Sequence, residues 1–474
     1  MAVARGITRR QALAAAVATG VGVGAVRLLG GTLSNLQRTP APGASNGADW
    51  VSPLGAEPAR IMQLLRRATL GYTPDQLDAA LKDGFNRTVD RLLETPPAEP
   101  PALDAATTPG GRFNPSILQE WWAAHMLATP TPFAERMTLF WHGHFTSDYR
   151  KVGDNTFVYW QNLTWRRMAM TNFRSMLMQV TVDPAMLRYL DLASSLASSP
   201  NENYSRELME LFTMGPGNYT EEDVRQGALA LSGWQLPRPD SFGSLPNLKR
   251  SLPVYLAQKT GVFQPRRSYS GDVTFLGKTG PLDTQGLIDR ILAQDATAPF
   301  IATKVAQHFI TGSPDAGFIS RIAGAFRKSN YDVKTLMRAV LTSEEFASAS
   351  AYRSLVKSPV ELMVHAARAL QDAGAARLIA TSGSGMGQIL FDPPDVGGWP
   401  NNEAWISSNT VIERVNFATS VLAQKGASLP SSSDGVQHQL DGVLGPATAQ
   451  LLNQATDERS RWFVILASPE FQLK

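Results

Sequence analysis

A chain of 474 residues with 43% apolar content can bury a large core, and its zero cysteines exclude disulfides, thiolate nucleophiles and Cys-ligated zinc. The formal charge is +3, from 44 Lys+Arg against 41 Asp+Glu, but Arg5, Arg9, Arg10, Arg27 and Arg38 all precede the first acidic residue, Asp49. Taking those five away leaves 39 against 41, a net −2, which gives no electrostatic case for a nucleic-acid partner.

The N-terminus reads Thr8-Arg9-Arg10-Gln11-Ala12-Leu13 and continues in an Ala/Gly/Val-rich apolar run to about Gly24. That run is shorter than the ~20 residues a spanning helix needs, and Arg27 interrupts it. Residues 1–30 therefore have the form of a twin-arginine export signal, so the expected location is periplasmic, cell-surface or extracellular. Membrane contact is expected only through that segment, if it stays uncleaved. Residues 31–56, rich in Pro, Gly, Ala, Ser and Asn, read as a flexible linker. Residues 57–474 read as one large helical domain.

From Pro58 the apolar spacing is helical, with Thr73-Pro74 opening a second helix and Val89, Leu92 and Leu93 marking a third. Residues 95–115 form a Pro/Ala/Gly loop. Helical periodicity resumes through Trp121, Trp122 and His125, and Thr131-Pro132 starts a helix from Phe133 to Trp141. Its end is Trp141-His142-Gly143-His144-Phe145, where Gly143 is expected to stop the helix. Imidazoles spaced His-x-His can share one divalent metal, so His142 and His144 are candidate ligands. Glu207, Glu210, Asp148 and Asp183 are the carboxylates that could complete such a site. The alternative is a pair of packed histidines at a helix C-terminus, where the dipole favours them.

Asn201 to Gly215 is the stretch densest in chemistry: three carboxylates, one guanidinium and two amides over about four helical turns. Tyr204, Leu208, Leu211 and Phe212 form a buried stripe, with Glu202, Arg206 and Glu210 laddered opposite and Glu207 between the faces. Glu207, Glu210 and Arg206 are the candidate catalytic groups, and Asn203 a candidate ligand contact, against the plainer reading of a solvated salt ladder. Thr220 with Asp223 forms a capping box for the next helix. Residues 235–280 break the helical pattern and suggest a loop or small hairpin, with a β-type run at Val273–Leu276. Helices resume from Leu287; His308 and His365 sit on apolar faces and read as core. Phe391 to Pro400, Phe-Asp-Pro-Pro-Asp-Val-Gly-Gly-Trp-Pro, is too rich in Pro and Gly for regular structure. Trp399 and the nearby Trp405 are either an exposed stacking platform for sugar rings or core plugs.

Placed together, these stretches resemble the bacterial family known as domain of unknown function 1800. The resemblance runs from about Ala59 to Phe471 and rests on Leu65–Gly71, Glu135-Arg136-Met137, Trp141–Phe145, Asn201–Gly215 and Tyr219–Val224. It continues through Ser232-Gly233-Trp234, Leu276–Gly280, Val356–Glu361 and Pro393–Pro400. It implies a mainly helical, exported protein encoded beside exported proteins of an alkaline-phosphatase-like kind, and no defined activity, cofactor or catalytic set. One departure stands out: many relatives carry a His-Asp pair where this chain has Ser268-Tyr269.

The expectation is a mainly α, multi-helix protein with a small irregular or β insertion. Two functions compete. One is a hydrolase-like enzyme acting on an extracytoplasmic polymer such as polysaccharide, with Glu207 or Glu210 as general acid/base. The other is a non-catalytic binding or assembly partner of another exported protein. An enzyme of the first kind requires the two histidines and Glu207 in one cleft; a binding protein does not.

Overall fold

A computed structural model describes residues 50–103, 115–237 and 260–474. The expected export signal, most of the expected linker, and the parts of the 95–115 loop and the 235–280 insertion at 104–114 and 238–259 lie outside the described residues. The described chain is mainly α, as expected, with 22 helices and two small two-stranded sheets. Among the described residues no helix is long and apolar enough to cross a membrane.

Helix α1 (Glu57–Ala68) has a proline in its first turn and leads through the Leu-Gly turn into the expected second and third helices, Pro74–Asp83 and Phe85–Glu94, before α2 (Pro115–Ala128). Helix α3 (Pro132–His144) is buried along its whole length except at Gly143, which is why no clean amphipathic stripe marks it in the sequence. It packs against α4 (Asn155–Met168) and α1. Between α3 and α4 lies a buried ion pair: Arg166 donates two 2.7 Å hydrogen bonds to the Glu135 carboxylate, and His125 Nε2 of α2 is 3.2 Å from it. The Trp122 indole also donates to Glu135.

The dense stretch forms α5 (Asn203–Glu210), shorter than expected, and α6 (Glu221–Ala230) follows with the expected Thr220–Asp223 capping box. β1 (Trp234–Gln235) pairs antiparallel with β2 (Val262–Phe263). β3 (Val273–Phe275) and β4 (Lys278–Gly280) make the expected hairpin, turning at Leu276 and Gly277, both at positive φ, as a tight two-residue turn requires.

The second half contributes α7 (Thr297–Phe309), α8 (Pro359–Ala369), α9 (Ala376–Met386) and α10 (Ser408–Lys425). Ser358 caps α8 reciprocally with Glu361, and all eleven of its residues are buried, against α2, α9 and α10. One continuous apolar cluster runs from Leu64 to Leu473 and takes in side chains from each of α1 to α10.

Helix α3 does not stop at Gly143 but continues to His144, because the glycine stays helical. A Cβ at Gly143 would sit 3.7 Å from the Trp399 ring, an ordinary contact. Gly398 is different. It has φ 92°, and a Cβ there would fall 2.3 Å from the Gly143 carbonyl oxygen. Gly398→Ala is therefore expected to cost at least ~2 kcal/mol, whereas Gly143→Ala should be neutral or stabilising by up to ~1 kcal/mol. Urea unfolding of the two variants checks this; equal effects would refute the close crossing.

Candidate ligand cavity

Where the Pro/Gly loop crosses α3, the packing leaves a cavity of about 150 Å³. Its walls come from α3 (Leu139, Phe140, Gly143, His144), α7 (Lys304, Gln307, His308), the α8 cap Ser358, Gln388, and the loop from Gly397 to Trp405. Gln307, Gly397, Pro400 and Asn401 are exposed and form the solvent side. Three of the sequence motifs thus meet at one place: Trp-His-Gly-His-Phe, Val-Lys-Ser-Pro-Val-Glu and Pro-Pro-Asp-Val-Gly-Gly-Trp-Pro. No Asp or Glu lines the cavity.

The cavity's polar groups are under-satisfied. His144 Nε2 donates to the Phe212 carbonyl at 3.0 Å, which fixes that nitrogen as the protonated one and leaves Nδ1 a free acceptor. The Trp399 Nε1 and His308 Nε2 atoms are buried without a hydrogen-bond partner. Burial, and then the Lys304 charge, hold the His144 imidazole well below its usual pKa, against the opposing Phe212 hydrogen bond. Burial does the same at His308, helped by the charges of Arg136 and Lys474. Burial also lowers the Lys304 ammonium to about 8. Its Nζ lies 5.0 Å from the centre of the Phe300 ring.

The predicted site residues are only partly brought together. His142 and His144 share one continuous helix, where two residues turn about 200°, so their rings diverge. His142 packs against Trp122, Phe391 and Trp399 at 5.0, 5.3 and 5.3 Å between ring centres. His144 instead stacks with Phe140 and meets Phe145 and Phe212. The expected two-imidazole metal site is therefore not formed, and among the described residues no group of three or more His, Asp or Glu could hold a metal ion. Trp399 and Trp405, 9% and 4% exposed, are not an exposed platform; they wall the cavity from inside.

The α5 residues lie outside the cavity lining. Arg206 pairs with Glu221 of α6 at 2.7 Å and more loosely with Glu202 at 3.6 Å, so the expected ladder stops short of Glu210, which accepts from Tyr219. Asn203 does not cap the helix; its N–H is bound by the Asn201 side chain at 2.9 Å. Glu207 is half-buried, and burial and then the Glu210 charge raise its carboxyl, against Arg206. Its charge, with those of Asp148 and Asp395, adds to burial in raising the Tyr189 phenol. Glu207 thus shares an acidic environment with the loop without entering the cavity.

The family described as Protein of unknown function (DUF1800) matches over residues 63–473. The chain belongs to that family. No curated protein and no solved structure matches it. The DUF1800 motifs at His144, Ser358 and Trp399 are those that line the cavity, whereas the Ser268-Tyr269 departure packs elsewhere, with the Tyr269 N–H bound to Ser232 at 2.9 Å. Lys304 and His308 are the residues sequence reading missed: His308 reads as core, yet it faces the cavity together with Lys304. Their i, i+4 spacing on an otherwise apolar helix was the available signal. A second cavity, of about 300 Å³ and mainly apolar, lies near the start of α3 around Leu65, Leu92 and Phe133 and collects none of the predicted site residues.

Burial lowers the His142 imidazole to about 3, and neither of its nitrogens has a partner. Between pH ~6.5, the unfolded value, and pH 3 the unfolded chain alone binds this proton, so His142 subtracts stability as pH falls through that window. His142→Phe is expected to flatten that loss by up to ~1.4 kcal/mol per pH unit and to keep the stability at pH 7. Urea unfolding at pH 4.5 and 7 reads it; an unchanged slope would mean that the imidazole is not buried neutral.

Proposed function

We propose that the chain is an exported bacterial protein that binds a small ligand in the cavity between α3, α7 and the Gly397–Trp405 loop without chemically altering it. The observation that carries this reading is the lining itself: two imidazoles, two indoles, amides and one ammonium, with no carboxylate. Hydrolysis of a glycosidic bond by the usual route needs two carboxylates of different pKa flanking the bond. Here the only carboxylates of the dense stretch lie on α5, beyond the lining. Export is supported by the Thr8-Arg9-Arg10 segment before its apolar run. The alkaline-phosphatase-like exported neighbours implied by the resemblance are the natural source or recipient of such a ligand.

One observation favours the hydrolase-like reading instead. Glu207 is half-buried with its carboxyl raised by burial and by Glu210, as a general acid would require. The two readings separate in one experiment. The purified full chain is dialysed to equilibrium against a defined mixture of small sugars, sugar acids and amino acids, and retained compounds are identified by mass spectrometry. The binding reading expects one compound retained at one per chain, chemically unchanged, with Glu207→Gln indistinguishable from wild type. A compound consumed by the wild type and spared by Glu207→Gln would overturn it in favour of the enzyme.

A further inference from the structure

We infer that the cavity's ligand is a compact monocarboxylate, held by the Lys304 ammonium and the Trp399 indole N–H; this rests on the binding reading above. Lys304 approaches the cavity from α7 with an aromatic ring beside it and no carboxylate partner among the described residues. A cation left partly out of water without a counter-ion is costly, and the structure tolerates it where an anion could enter. The buried N–H of Trp399 is a donor with nothing to receive it, and a carboxylate accepts from such donors as well as from an ammonium.

The surroundings agree in sign. No Asp or Glu competes within the lining. Behind His308, Arg136 and Lys474 share the single carboxylate of Glu361, and the Arg67 guanidinium is met by backbone carbonyls of Phe309 and Ile310 rather than by an acid. At the His308 edge of the cavity, Arg136 and Lys474 both act on the imidazole with the sign that favours an anion. One ammonium and no lining arginine suit a monoanion better than a phosphate, which recruits forked guanidinium contacts. Size sets the remainder. A cavity of about 150 Å³ takes a guest of roughly six non-hydrogen atoms, and Leu139, Phe140 and Trp405 leave its other wall apolar.

The test is calorimetric titration of the full chain at pH 7 with propionate and lactate, and with propionamide and lactamide as their neutral counterparts. The acids are expected to bind one per chain and the amides at least tenfold more weakly. Lys304→Met and Lys304→Gln are each expected to lose at least tenfold in affinity for the acids. Their Tm should equal or exceed the wild-type value, because an unpartnered ammonium has been removed. Acids and amides binding alike, or acid binding that survives both substitutions, would overturn the carboxylate inference and leave the binding reading standing. Failure of both acids to bind would overturn it too, the binding reading then being decided by the dialysis experiment. A Tm lowered in both variants would also overturn it, by making Lys304 a structural residue.

Discussion

The carboxylate of Glu361 is the point on which the interior depends. It receives the Lys474 ammonium at 2.6 and 2.8 Å, pairs with Arg136 of α3, and closes the cap of α8 by accepting the Ser358 N–H at 2.7 Å. One buried anion therefore ties together the central helix, the second fully buried helix and the last residue of the chain. Burying ions so deeply gains little net stability over an apolar core, but removing one partner strands the others, at about 3–5 kcal/mol. The junction thus acts mainly as a register device. It specifies how α3 and α8 meet, and with them the position of the cavity wall.

The same junction leaves the interior short of negative charge. Lys357 is met by the Phe471 carbonyl and Arg414 by the Lys357 carbonyl at 2.9 Å, as Arg67 is by carbonyls of α7 and its end. Carbonyl oxygens satisfy the hydrogen-bonding of a cation without cancelling its charge. At His308 burial first, and then the Arg136 and Lys474 charges, hold the imidazole well below its usual pKa. Other buried charges are neutralised directly, as with Arg166 and Glu135 or Arg66 and Asp441.

What the sequence made legible was local. The mainly α class, the Thr220–Asp223 capping box and the β3–β4 hairpin all depend on residues within a few positions of one another. The dense stretch was misjudged in its second half because helical geometry was extended to Gly215. The chain instead leaves α5 at Glu210 through wide turns, with the Phe212 N–H reaching Glu207 at 3.0 Å and the Met214 N–H reaching Met209 at 2.8 Å. That change of winding turns the Phe212 carbonyl toward His144, while the charge ladder fails because Arg206 pairs with Glu221 and Glu210 accepts from Tyr219. The cavity itself was not legible, since His144, Lys304 and Trp399 are far apart in the chain and only packing joins them. Gly143 was read as a helix stop, whereas it stays helical, and the close approach of the crossing loop is made at Gly398 against the Gly143 carbonyl.

This last point bears on how the site can work. A loop of prolines and glycines is stiff where the prolines fix φ and permissive only at the glycines. Here the permissive residue, Gly398, is pinned against the α3 backbone, and Thr146 of the same crossing donates to the Val396 carbonyl. The indole of Trp399 is therefore held in place before any ligand arrives, between His142 on one side and the cavity on the other. A preformed wall of this kind spares a ligand the cost of ordering it. It also explains why His142, though it lines no cavity and carries no charge, belongs with the site: its ring is part of the floor that fixes the orientation of the tryptophan.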